Sequence, residues 1–80
     1  MKSYVVEFVV LEPRASPVAL RQLLTKRLPW ARDLAVARAG DLFRVHVRTG
    51  RPELAVATGV ECGVLRDIVV ESEDLRSVDA

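Results

Sequence analysis

From Tyr4 to Leu11 apolar side chains fill both alternating sets: Tyr4, Val6, Phe8 and Val10 on one side, Val5, Val9 and Leu11 with a single Glu7 on the other. Seven β-branched, aromatic and aliphatic residues in eight, with both faces largely apolar, predict a central strand covered at least partly on its second face. Ser16 followed by Pro17 is a helix start, because the serine hydroxyl caps a free N–H and proline has none to lose. Leu20, Leu23, Leu24 and Leu28 then recur at helical spacing until Pro29 stops the run. Gly40-Asp41 separates two runs, Asp33 to Ala39 and Leu42 to Thr49, and predicts a hairpin. The second run alternates cleanly, Phe43, Val45, Val47 against Arg44, His46, Arg48, whereas Ala35, Ala37 and Ala39 make the first a weaker strand. Pro52 opens a stretch from Glu53 to Cys62 that reads as a short helix closed by Gly63, with a strand at Leu54 to Thr58 as the alternative. Asp67 to Ser72 reads as the last strand, and from about residue 73 the chain becomes an acidic, polar tail.

The order strand, helix, strand, strand, helix, strand over residues 1–80 predicts one α+β domain. It is the ferredoxin-like βαββαβ arrangement, a four-stranded antiparallel sheet with both helices on one face. The expected strand order is fourth, first, third, second, which puts the doubly apolar first strand in the middle. If Phe8, Phe43, Val45, Val47, Ile68 and Val70 face the helices, the two-residue period fixes the open face. That face carries Val5, Glu7, Val9 and Leu11, then Arg44, His46 and Arg48, then Asp67, Val69 and Glu71, with Ala35, Ala37 and Ala39 on the remaining strand.

Charge changes the picture next. The net charge of +1 argues against a general nucleic-acid binder. Yet residues 1–52 hold ten basic and four acidic side chains, and residues 53–80 two basic and seven acidic. Opposite signs on separate strands of one face, around an apolar centre, predict a self-complementary surface. An antiparallel face-to-face homodimer would bring Asp67 and Glu71 of one copy near Arg44 and Arg48 of the other. The local alternative is that Glu7 pairs with Arg44, His46 or Arg48 across neighbouring strands. A chain of 80 residues buries only about 60% of its unfolded surface, so association is a natural way to complete the core. The absence of Asn, a single Gln and 29% charged residues resemble a thermophile composition. No apolar run is long enough to cross a bilayer and no leader pattern opens the chain, which predicts a cytoplasmic protein without membrane contact.

Candidate chemistry is sparse. One cysteine, Cys62, excludes an internal disulfide, and with one histidine it supplies no ordinary zinc site; neither metal nor cofactor is implied. No nucleophile elbow or phosphate loop occurs, so an enzyme is not expected. Thr49-Gly50-Arg51 before Pro52 is the one anion-site candidate, a turn entering a helix. The strip Arg44, His46, Arg48 gives the second reading, a weak anion or nucleic-acid surface. In element order and size the whole chain resembles small modules that work by assembling, the ACT regulatory domains and the small dimer-forming subunit of the formylglycinamidine synthase complex. No motif matches, so no residue role carries over. The expectation is a non-catalytic, self-associating subunit, adaptor or small-ligand regulatory module, open to a protein partner.

Overall fold

In the computed structural model, which describes residues 2–73, the elements are β1 (Tyr4–Leu11), α1 (Pro17–Arg27), β2 (Arg32–Ala39), β3 (Leu42–Thr49), α2 (Pro52–Cys62) and β4 (Val64–Ser72). The sheet runs β2-β3-β1-β4 with every neighbouring pair antiparallel, which makes this an α+β fold of the ferredoxin-like kind. The predicted polar tail lies, beyond Glu73, outside the described residues.

Each element follows from local chemistry. The Ser16 hydroxyl accepts the Ala19 N–H at 3.0 Å, and Pro17 takes the first helical position. Leu20 and Leu24 are fully buried, each removing a side chain from water at about 1.5 to 3 kcal/mol. Gly40, at φ 63, is the first of two loop residues between the paired Ala39 and Leu42, where a tight hairpin needs a positive φ. The stretch that reads as helix or strand is helix. Its Gly59 is there for space: a Cβ would lie 2.7 Å from Phe8 Cε1 and 3.1 Å from Leu65 Cδ2, so the missing methyl lets α2 settle on the sheet. Arg14 closes the far end of α2, its guanidinium donating to the carbonyls of Val60 and Glu61 and its amide to that of Cys62.

The core lies between the helices and one face of the sheet, built from Val6, Phe8, Val10, Phe43, Val45 and Val47 against Leu20, Leu24, Leu28 and Ala55. Two departures from the expected pattern share a cause. β4 begins at Val64, three residues earlier than its alternation suggests, and Ile68 and Val70 are 48% and 45% exposed rather than part of the core. Its register against β1 shifts between Glu7 and Val9, leaving Asp67 and Ile68 opposite Phe8, with Asp67 at φ 53. This is a β-bulge, and the extra residue exchanges the faces of everything before it. Leu65 thereby joins the core, while Gly59 and Gly63 hold α2 against Leu65 and Val10, away from Ile68 and Val70. β2 carries a matching irregularity at Asp33, φ 54, between the pairs Arg32↔Arg48 and Ala35↔His46. Aspartate tolerates this left-handed backbone better than most side chains. Both edge strands are thus kinked by an aspartate.

Candidate functional site

The face of the sheet away from the helices is where the sequence-predicted residues meet. Arg44 and Arg66 both sit opposite Val9, Arg48 and Glu71 opposite Val5, and His46 and Val69 opposite Glu7, so β1 runs down the middle with β3 and β4 on its flanks. On the far side of β3, Ala35 and Ala37 pair with His46 and Arg44. Because alanine side chains end at Cβ, the strand that looked weakest supplies a floor. A hollow of about 360 Å³ opens over Val9, Val69, Ala35 and Ala37, with Glu7, His46, Arg44 and Asp67 around it.

The charges divide into spent and free. His46 Nδ1 lies 3.1 Å from Glu7 Oε2, the cross-strand pair that two-residue alternation allows. Arg48 Nε is screened from solvent, 3.2 Å from Asp33 Oδ2 and 3.9 Å from Glu73 Oε1, in ion-pair contact without hydrogen-bond alignment. Arg32 also reaches Glu73 at 3.4 Å, and Ser3 holds the same carboxylate through its hydroxyl at 3.2 Å. Asp33 and Glu73 are the residues that sequence reasoning missed; Asp33, a charge at the start of a strand, was the available signal. Val5 is only 1% exposed and stands outside the helix-side core, shielded on the open face between Arg48 and Glu71. Arg44, Arg66 and Asp67 have no partner among the described residues: Arg44 and Arg66 flank Val9 on β3 and β4, and Asp67 stands at the bulge opposite Phe8. With strands about 4.8 Å apart, the strands that carry the two arginines lie roughly 10 Å from each other.

The predicted anion turn lies elsewhere, in a second cleft of about 390 Å³ lined by Arg27, Leu28, Pro29, Trp30, Thr49, Gly50, Arg51 and Leu54. Few of the helix amides there are free: Pro52 has none, and Leu54 and Ala55 donate to the Arg51 carbonyl. Thr49 Oγ1 accepts the Arg51 N–H at 3.0 Å. Arg51 Nε donates to Glu53 at 2.7 Å, which holds that carboxyl below its ordinary range.

Cys62 is buried in the core, and desolvation pushes its thiol above the usual range, so it is a packing group rather than a nucleophile. Among the described residues no three His, Cys, Asp or Glu side chains come together as a metal site, and no helix is long and apolar enough to cross a membrane. The fold and its surface define a small α+β ferredoxin-like protein with an uncovered sheet face. Compared with known proteins, the chain matches no family model, no curated protein and no solved structure.

Proposed function

We propose that this chain is a self-associating, non-catalytic domain, working as a subunit, adaptor or small-ligand regulatory module, whose common feature is a homodimer formed through the open sheet face. The observation that carries the reading is an apolar strip through Val5 and Val9 on the open face, flanked by charges of both signs: Arg44 and Arg48 on β3, and Arg66, Asp67 and Glu71 on β4. Their placement selects one symmetry. A two-fold axis lying across the strands at Val9 would set Arg44 on Arg44 and Arg66 on Arg66; an axis running along β1 sets β3 of one copy over β4 of the other, so that Arg44 meets the stretch carrying Arg66 and the acidic Asp67, twice. The strands of the two copies then run in the same direction. The antiparallel stacking anticipated from sequence gives way to this aligned one, within the crossing angle of about 30° usual for stacked sheets. The same axis brings Glu71 toward Arg48 two rungs further along, because both stand opposite Val5. The edges offer a poorer route, since a bulged strand is a poor template for adding another. The basic-strip alternative loses ground for a different reason: His46 and Arg48 are already compensated by Glu7, Asp33 and Glu73.

Light scattering at micromolar concentration tests the proposal. The expected mass is twice the 8.9 kDa of one chain. Arg44→Glu should shift it toward monomer, and Asp67→Asn, which keeps a residue suited to the left-handed backbone, should weaken it by roughly five- to tenfold. The two changes together should do little more than the stronger one alone. A monomeric wild-type protein at these concentrations would overturn the reading.

A further inference from the structure

The cleft at the helix end of the molecule has one feature that packing does not explain. Trp30 is 87% exposed, although tryptophan is highly buried on average and is the side chain that gains most from being covered. It sits in the connection from α1 to β2, where Leu28 is held in the core and the Ala31 amide bonds back to the Leu28 carbonyl at 3.0 Å. The indole is thereby carried on a fixed turn beside an apolar floor of Leu28, Pro29 and Leu54. The volume, about 390 Å³, falls at the lower end of the roughly 300 to 1,000 Å³ usual for small-molecule sites. Two cations stand at its rim and differ in what they have left to give. Arg27 is held by Glu61 through two guanidinium nitrogens. Arg51 uses only Nε, on Glu53, and its remaining N–H donors have no partner among the described residues.

The geometry points to a binding site for a flat aromatic ring that carries an acidic group, the ring stacking on Trp30 over the apolar floor and the anion taken by the free edge of Arg51. Stacking on tryptophan is worth about 1 to 3 kcal/mol for a base-sized ring and tolerates many ring types, so the ring supplies most of the affinity. Glu53 competes with the ligand for Arg51, which keeps binding weak. The assignment is independent of the dimer: the cleft lies off the open face, so either proposal can fail alone. A nucleoside monophosphate and an aromatic carboxylate share this chemistry.

Trp30 is the chain's one tryptophan, so its selectively excited fluorescence reports on the cleft. Adenosine monophosphate and phenylacetate are titrated separately, with adenosine and inorganic phosphate as the half-ligands. At least one of the two whole ligands should quench or shift the emission saturably at millimolar concentration, and whichever does identifies the source of the anion. Against adenosine monophosphate, adenosine should bind at least tenfold more weakly because the charge-assisted hydrogen bond is lost, and inorganic phosphate likewise because the stacking is lost. Arg51→Gln should weaken the whole ligand about tenfold and leave adenosine unaffected, whereas Glu53→Gln, which frees Arg51, should tighten it several-fold. Opposite signs from two neighbouring exposed residues are not what a general loosening of the helix would give. The assignment is overturned if neither whole ligand gives a saturable change, or if Arg51→Gln and Glu53→Gln move the affinity in the same direction.

Discussion

At the scale of single residues, absent atoms shape this protein as much as present ones. Gly59 looks in the sequence like a flaw in a helix, since glycine is about 1 kcal/mol worse than alanine in a helix interior. The structure reverses its meaning: an added methyl would sit 2.7 Å from the ring of Phe8, which is itself locked in the core. Forcing atoms into a filled site costs about 1 to 3 kcal/mol, more than the propensity gained. Gly59→Ala should therefore lower stability, by up to about 2 kcal/mol in urea unfolding, where propensity alone would raise it. A midpoint moved upward would show that α2 lifts from the sheet without penalty. Ala35 and Ala37 teach the same lesson on the other face. Their poor strand propensity obscured β2 in the sequence, yet their shortness opens the hollow beside Arg44.

At the scale of elements, the sequence was legible wherever period and capping agree. Ser16-Pro17, the leucine spacing of α1, the Gly40 turn and the alternation of β3 are local signals, and each element appears where they put it. The bulges at Asp33 and Asp67 were not legible, because one inserted residue resets a two-residue period and only the partner strand reveals where. That is why Ile68 and Val70 were placed on the wrong side of the exposure line. Contacts between elements were hidden for the same reason. Arg27 near the end of α1 clamps Glu61 near the end of α2 with two hydrogen bonds, from positions 34 residues apart. This contact holds the Glu61 carboxyl below its ordinary 4.5 and raises the Arg27 guanidinium. Because the folded state binds the Glu61 proton less tightly than the unfolded chain, the clamp's contribution is present above the unfolded value and lost as pH falls through the folded one. The urea midpoint should be flat near neutrality and decline below about pH 4.5, and Glu61→Gln should lower the plateau while making the decline shallower. An unchanged acid slope in that variant would mean that the clamp adds nothing to stability, as exposed ion pairs often do not.

At the scale of the whole molecule, the near-zero net charge conceals an ordered separation. The basic first part and acidic last part of the chain meet on one sheet face, and the structure satisfies that matching within the subunit at one end through Arg32, Arg48, Asp33 and Glu73. What stays without a partner among the described residues is the stretch around Val9, with Arg44 and Arg66 beside it and Asp67 at the bulge, and in the proposed dimer an axis along β1 would bring the acidic Asp67 of one copy toward Arg44 of the other. That axis makes a further demand, because any open-face residue on β1 meets its own counterpart. Val5, Val9 and Leu11 meet favourably, but Glu7 meets Glu7, each carboxylate holding its His46 at 3.1 Å. Like charges brought together across an interface oppose binding, and at a partly exposed site the effect is about 0.2 to 1 kcal/mol, or up to about fivefold in affinity. Glu7→Gln should therefore tighten the dimer, most visibly at low salt where screening is weakest. Arg44→Glu should weaken it under the same conditions. A dimer that Glu7→Gln leaves unchanged or loosens would have its axis elsewhere than over β1, since an axis there sets the two Glu7 side chains face to face.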